Sequence, residues 1–121
     1  MLARDKGATV RLHSDGCIVD IIPDLIKTGV TDLNPQDLVN GLDNLAELAK
    51  GKIHISLEVD EQKITAFGTP EQIDRHILNC IQKLGSPEGG LSLHYTAYPG
   101  TPISGVESVV RAMRKYFDNW N

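Results

Sequence analysis

Stretches in which every second residue is apolar alternate along the chain with stretches in which apolar residues recur at helical spacing. Residues 53–60 show strict alternation of apolar Ile53, Ile55, Leu57 and Val59 with polar His54, Ser56, Glu58 and Asp60. This period of two predicts a strand with one apolar and one polar face. After Thr69-Pro70-Glu71, a cap-then-proline signal, residues Ile73, Ile77, Ile81 and Leu84 follow at helical spacing. The pattern therefore predicts a strand followed by a helix.

The same order occurs four times. Strands are predicted over residues 8–13, 30–33, 53–60 and 91–95, and a helix follows each strand. Pro23 is expected near the entry of the first helix, and Gly29 at its end. Asn34-Pro35 is expected to open the second helix, which runs to about Lys50. The last helix follows Thr101-Pro102 and carries an apolar face of Val106, Val109, Val110, Met113, Phe117 and Trp120.

The order βαβαβαβα predicts an α/β fold with a parallel sheet and right-handed crossovers. We interpret residues 1–121 as one half-barrel domain. Its four strands could stay an open sheet, or two copies could pair edge to edge into one eight-stranded barrel. An open sheet leaves two unpaired edges and one face without helices, so we expect a homodimer.

Composition narrows the classes of partner. The chain has 121 residues, 40% of them apolar, and a net charge of -4 with scattered basic residues. No basic patch or apolar run of about 20 residues is present, so we expect neither a nucleic-acid partner nor a membrane span. Cys17 and Cys80 show no close metal or redox spacing, and no signal peptide is evident. We expect a cytoplasmic protein.

An ordered series of short motifs carries a family resemblance. The series consists of His13-Ser14-Asp15-Gly16, residues 21–26 (IIPDLI), Gly29-Val30, Leu33-Asn34-Pro35, residues 59–62 (VDEQ), residues 67–71 (FGTPE), Gly89-Gly90 and residues 99–102 (PGTP). In this order and at these distances, the chain from Val10 to Tyr116 resembles the C-terminal half of the uroporphyrinogen decarboxylase and methylcobamide:coenzyme M methyltransferase superfamily. The resemblance implies units five to eight of a TIM (β/α)₈ barrel, without the four amino-terminal units.

The superfamily includes cofactor-free decarboxylases of a tetrapyrrole and zinc-dependent methyltransferases, and the resemblance implies a site at the carboxyl ends of the strands. The methyltransferases have a His-x-Cys pair where this chain has His13-Ser14-Asp15, and a later cysteine near the position of His94 or Tyr95. The cofactor is therefore either none or a zinc ion held by His13, Asp15 and His94. Both cysteines are replaced, which disfavours corrinoid-coupled thiol chemistry.

We predict His13, Asp15 and His94 as catalytic residues and Asp60, Gln62 and Tyr95 as substrate-binding residues, because they stand where strands end. Each has a plainer alternative. Asp15 and Asp60 could cap turns, and His94 could be a satisfied core histidine; either His94 or Tyr95 faces the barrel axis. We expect His76 to lie on the solvent face of its helix.

Two hypotheses of function remain. The first is a homodimeric lyase or methyltransferase acting on a small acidic substrate, either decarboxylase-like or zinc-dependent. The second is a non-catalytic truncated half-barrel that binds a ligand or a partner, such as a separate amino-terminal half-barrel. Fold does not decide between them.

Overall fold

A computed structural model describes residues 2–118 as four consecutive strand-helix units. The strands are β1 (Arg11–Ser14), β2 (Asp32–Pro35), β3 (His54–Glu58) and β4 (Leu91–His94). The helices are α1 (Leu2–Asp5), α2 (Ile22–Thr28), α3 (Asp37–Asn40), α4 (Leu42–Leu48), α5 (Ile64–Phe67), α6 (Pro70–Leu84) and α7 (Ile103–Lys115). A 3₁₀ turn, Val19–Ile21, precedes α2. The predicted α/β class and strand-helix order are confirmed.

The four strands form one parallel sheet in the order β1-β2-β3-β4. Sequential order with a helix between each pair of parallel strands is the arrangement found in half of a TIM barrel, because right-handed crossovers place every helix on the same side. β1 and β4 are the two edges. The sheet is therefore consistent with a half-barrel that has two edges to pair.

Alternate residues of the strands pack under the helices. Leu33, Ile55 and Leu57 are fully buried, and together with residues of α2, α4 and α6 they form the larger apolar cluster. A smaller cluster joins Val59 to α6 and α7 through Ile73, Ile77, Ile81, Val109 and Ala112. The alternation predicted for residues 53–60 is confirmed: the apolar side of β3 faces the helices.

Helices α2 and α6 begin as the sequence predicts. Pro23 lies in the first turn of α2, and Gly29 ends that helix with a φ of 109°, a left-handed conformation that glycine adopts without a Cβ clash. At α6, the Thr69 hydroxyl accepts from the Gln72 amide and the Gln72 side chain accepts from the Thr69 amide. This capping box satisfies two amide groups that have no partner inside the helix.

The second unit differs from its prediction. Asn34 and Pro35 lie within β2 rather than at a helix start, because the Asn34 side chain donates to the Ser56 carbonyl of β3 instead of capping a helix. The predicted helix to Lys50 is also divided. Gly41 has a φ of 79° and separates α3 from α4, so the glycine that looked like an internal weakness is a break.

The last helix packs through only part of its predicted face. Val109 is fully buried and Met113 contacts the smaller cluster, whereas Val110 and Phe117 are exposed. The prediction for Trp120 falls outside the described residues. Within residues 2–118, no helix is long and apolar enough to cross a membrane.

Candidate functional site

The side of the sheet opposite the helices carries only polar side chains, which we call the polar face. Strand residues alternate between the two sides of the sheet, and Leu33, Ile55 and Leu57 pack under the helices. Their neighbours along the strands therefore lie on the opposite side. The polar face consists of Arg11, His13, Asp32, Asn34, His54, Ser56, Glu58, Ser92 and His94. In a closed barrel this side is the interior, which is normally filled by branched apolar residues. A polar interior is therefore a departure that requires an explanation.

A chain of hydrogen bonds crosses the polar face through three strands. The Ser56 hydroxyl donates to Asp32 Oδ1 at 2.6 Å, and the Ser92 hydroxyl donates to Ser56 Oγ at 3.2 Å. Ser92 Oγ also lies 2.9 Å from His54 Nε2 and 3.4 Å from His94 Nε2. Because the Asp32 carboxylate only accepts, the chain is directed from the imidazoles toward Asp32. Two histidines are thus joined to one buried carboxylate.

His13 and Asp15 meet at the carboxyl end of β1. His13 Nδ1 lies 3.1 Å from the Asn34 carbonyl oxygen, and His13 Nε2 lies 3.2 Å from Asp15 Oδ1. Both partners are acceptors, so each contact requires an N–H group on the ring nitrogen that makes it. The two side chains are 49% and 83% exposed, which leaves them open to a ligand or to a second protein chain.

The structure separates His94 from Tyr95. His94 ends β4 on the polar face, beside Glu58 of β3 in the strand register. The Tyr95 ring packs against the smaller apolar cluster under the helices, and its buried hydroxyl has no hydrogen-bond partner among residues 2–118. Tyr95 therefore lies on the opposite side of the sheet from His94, and the two do not share one site in this chain. Its predicted role in substrate binding has no geometric support here.

Asp60 is engaged by backbone groups. Its carboxylate accepts from the Lys63 amide at 2.9 Å and from the amides of Gln62 and Ile64, and its carbonyl accepts from the Thr65 hydroxyl. These bonds order the turn before α5, as the capping alternative requires. Asp60 and Gln62 nevertheless line the same cleft as Asp15, so a substrate role for them stays a prediction.

The predicted zinc ligands do not converge within one chain. His13 and Asp15 belong to the β1 end, whereas His94 belongs to β4, three strand spacings away and hence about 14 Å across the sheet. Within residues 2–118, one group of three metal-ligating side chains has ligand atoms that lie close together, and it contains none of these three residues. The set of His13, Asp15 and His94 thus does not fit a metal ion in a single chain.

A cleft of about 860 Å³ opens at the carboxyl ends of β2 and β3. Five carboxylates line it and Lys63 is its one basic side chain, so we call it the acidic cleft; its carboxylates are those of Asp15, Asp37, Glu58, Asp60 and Glu61. Burial and then the surrounding carboxylates raise the pKa of Glu61. The Glu61 Oε2 atom is buried and has no hydrogen-bond partner in the described part of the chain. The cleft repels anions and attracts cations.

Replacing Glu61 by glutamine is expected to stabilise the protein at neutral pH. Because the native pKa of Glu61 is raised above its ordinary value of 4.5, folding favours the protonated form. That contribution is complete below pH 4.5 and is lost as pH rises through the native pKa. Urea unfolding should therefore show Glu61→Gln more stable than wild type at pH 7 and about equal below pH 4.5. A Glu88→Gln control, at an exposed position, should show no such change; equal effects from both variants would contradict the assignment.

Sequence reasoning missed a buried cluster beside this cleft. His76 was expected on a solvent face, but its side chain is 8% exposed and lies 2.6 Å from Asp37 Oδ2, so that expectation was wrong. Cys80 Sγ lies 3.7 Å from the same imidazole nitrogen. The His76-x-x-x-Cys80 spacing, which puts both residues on one helix face, was a signal for this pair. Nothing in the local sequence pointed to Asp37.

Comparison with known proteins gives one informative similarity. The chain is 30% identical over 98 residues to a protein described as uroporphyrinogen decarboxylase from Synechococcus sp. (strain CC9605). The match covers 81% of this chain and 27% of that protein, so the chain spans about a quarter of the relative's length. No family model and no solved structure matches. The similarity supports a uroporphyrinogen-decarboxylase-like relationship.

Proposed function

We propose, from this uroporphyrinogen-decarboxylase-like relationship, that the chain is one half of a decarboxylase-like barrel that a second copy completes. The polar face would line the interior of that barrel and act on a small carboxylic acid. The observation that supports the proposal is the hydrogen-bonded chain from His54 and His94 to Asp32 on a sheet face without helices. This chain of polar groups stands where a barrel interior normally holds branched apolar residues.

Closing the barrel would create a site between copies. β4 of one subunit would pair with β1 of the other, and we call this strand pair a seam. The two-fold axis would generate a second, identical seam. His94 would then stand beside His13 and Asp15 of the partner subunit, which are on the opposite edge within one chain. Each seam would combine one subunit's His94 with the other's His13, so neither subunit holds a complete site alone.

The chemistry that these residues support is decarboxylation without a cofactor. The bond between the carboxylate carbon and its neighbour breaks, carbon dioxide leaves, and the electron pair stays on the substrate carbon. An imidazolium, that of His94, gives its proton to this carbon, and solvent restores the proton afterwards. The substrate's remaining carboxylates would pair with the interior histidines and not with the acidic cleft, which repels them.

The backbone of β1 offers a direct test of the closure. The Val10 carbonyl accepts from the Asp32 amide, so in the parallel ladder the N–H groups of Arg11 and His13 point to the open edge. Arg11→Pro removes one outward donor, whereas Arg11→Ala removes the same side chain and keeps the donor. Two symmetric seams each lose a hydrogen bond, so we expect Arg11→Pro to raise the dimer dissociation constant about 5- to 150-fold relative to Arg11→Ala.

Light scattering over a dilution series measures this difference. Wild type and Arg11→Ala should be dimers that dissociate only at low concentration, and carbon dioxide release from uroporphyrinogen or smaller carboxylic acids should follow the dimer fraction. A wild-type protein that is monomeric at all concentrations would contradict the homodimer. A dimer that releases no carbon dioxide from any acid tested would contradict the lyase.

The short match to the relative favours a second candidate. Because the chain corresponds to 27% of that protein, a separate amino-terminal half-barrel could pair with the same two edges, and this half could then bind a ligand or partner without catalysis. A monomer that forms a one-to-one complex with such a half-barrel would support this alternative.

A further inference from the structure

Three side chains of metal-binding type meet beside the acidic cleft, outside the polar face. Asp37 is the first residue of α3, and His76 and Cys80 lie one turn apart on α6. Their ligand atoms all lie within 4.8 Å of one another, with His76 Nε2 2.6 Å from Asp37 Oδ2 and 3.7 Å from Cys80 Sγ. Cys80 is fully buried, and the side chains of His76 and Asp37 are 8% and 2% exposed.

Hydrogen bonding satisfies the carboxylate of this cluster but leaves the Cys80 thiol without a strong partner. One ring nitrogen, His76 Nε2, faces both the Asp37 carboxylate and the Cys80 thiol, and a single N–H group donates well to only one of them. The Cys80 thiol is fully buried and is both a weak donor and a weak acceptor, so its 3.7 Å contact with the imidazole contributes little. A divalent cation would replace the proton between His76 and Asp37 and would release the proton of the Cys80 thiol to solvent. Its charge would then be neutralised by one carboxylate and one thiolate.

We propose that Asp37, His76 and Cys80 bind one zinc-class divalent cation per chain and thereby tie α3 to α6. Thiolate and imidazole select a borderline ion such as Zn²⁺ over Mg²⁺ or Ca²⁺, which take oxygen ligands. Three protein ligands leave a fourth position for water. The site is separate from the set of His13, Asp15 and His94, and it does not depend on the proposed barrel closure.

The two separations between His76 Nε2 and its neighbouring ligand atoms suit such an ion. Zinc lies about 2.0–2.3 Å from nitrogen, oxygen and sulfur ligands, which places neighbouring ligand atoms about 3.3–3.7 Å apart in a tetrahedron. The separation between Nε2 and Sγ is already 3.7 Å, and the separation between Nε2 and Oδ2, now 2.6 Å, must open by less than about 1 Å. Metal binding would therefore replace the hydrogen bond between His76 and Asp37.

Cations have a route to the cluster. Asp37 lines the acidic cleft, whose carboxylates raise the local concentration of cations. On its other side, His76 lines a shallow groove along α6 with Gln72, Arg75 and Asn79. The Asp37 carboxylate also accepts from the amides of Leu38 and Asp60, which orients it toward α6.

The experiment titrates reduced, metal-free protein with Co²⁺ and then Zn²⁺. We expect one equivalent of Co²⁺ to release protons and to give a thiolate-to-metal charge-transfer absorption in the near ultraviolet. Zn²⁺ should then remove this absorption by displacing Co²⁺. Cys80→Ser should lose the absorption and bind Zn²⁺ at least about 10-fold more weakly. Cys17→Ser, at the exposed cysteine, and His54→Gln, on the polar face, should titrate like wild type.

Two results would overturn the proposal. One is a wild-type protein with no thiolate-to-cobalt absorption, whatever its affinity, because Cys80 would then not be a ligand. The other is an absorption that persists in Cys80→Ser and disappears in Cys17→Ser. The first result needs no variant, so poor folding of Cys80→Ser would not leave the question open.

Discussion

His94→Ala is expected to lower the rate of the proposed decarboxylation by about 10²- to 10⁴-fold, the usual contribution of a positioned proton donor. His94 is the residue at the carboxyl end of β4 that lies on the polar face, and Ser92 orients its ring through a 3.4 Å contact. His94→Gln can keep a hydrogen bond to Ser92 but cannot transfer a proton. It should therefore fold like wild type and be as inactive as His94→Ala. A glutamine variant with wild-type activity would limit His94 to a structural role.

Mixing two inactive variants tests whether the site lies between copies. His13→Ala and His94→Ala should each be inactive alone. In a mixed dimer, one seam carries both substitutions, whereas the other joins an intact His94 to an intact His13 of the partner subunit. Random mixing makes half of the dimers mixed, so activity should return to about a quarter of the wild-type level.

Carbon dioxide release from the mixture, measured after the subunits have exchanged, is compared with the sum of the two parents. No gain from mixing would contradict the composite site, even if each parent is inactive. A gain that does not require exchange of subunits would contradict it as well. Circular dichroism of each parent controls for loss of fold.

Asp37→Ala is expected to lower the free energy of unfolding by about 3–5 kcal/mol in chelator-treated protein. The Asp37 side chain is 2% exposed and accepts from the Leu38 amide at 2.6 Å, from the Asp60 amide at 3.0 Å and from His76 at 2.6 Å. Removing it leaves these donors buried without an acceptor. Because total stabilities are about 5–15 kcal/mol, this is a large share.

Urea unfolding of matched variants measures the effect. Asp43→Ala removes an aspartate whose side chain is 85% exposed and paired with Lys83, so we expect a loss of less than about 1 kcal/mol. Asp37→Asn keeps one acceptor oxygen and should fall between wild type and Asp37→Ala. If Asp37→Ala were as mild as Asp43→Ala, Asp37 would not join α3, the loop after β3 and α6 as the contacts indicate.

Only part of the candidate site could be predicted from sequence. The strand-end position of His13, Asp15 and His94 follows from local periodicity, because each lies at or just beyond the end of a recognisable strand. The pairing of His13 with Asp15, two residues apart, is also local. The distance between His13 and His94 could not be predicted from local sequence. It depends on the strand order, which places the two residues on opposite edges of the sheet.

Local sequence signals predicted the structure correctly where all the interacting groups lie close together in the sequence. The helix cap at Thr69 and the helix end at Gly29 were recognisable because every group involved lies within a few residues. Asn34-Pro35 misled for the opposite reason. The Asn34 amide reaches Ser56, a residue of another strand, and that contact outweighs its capping preference.

By itself, the sequence determined the α/β class, the four strand-helix units and the apolar side of β3, because hydrophobic periodicity reflects which face of an element is buried. Tertiary structure alone decided that Tyr95 faces the helices and His94 the polar face. It also brought Asp37 to His76 and Cys80 and gathered five carboxylates in one cleft. These contacts join segments far apart in the chain, and their energies depend on distances and burial that no local pattern contains.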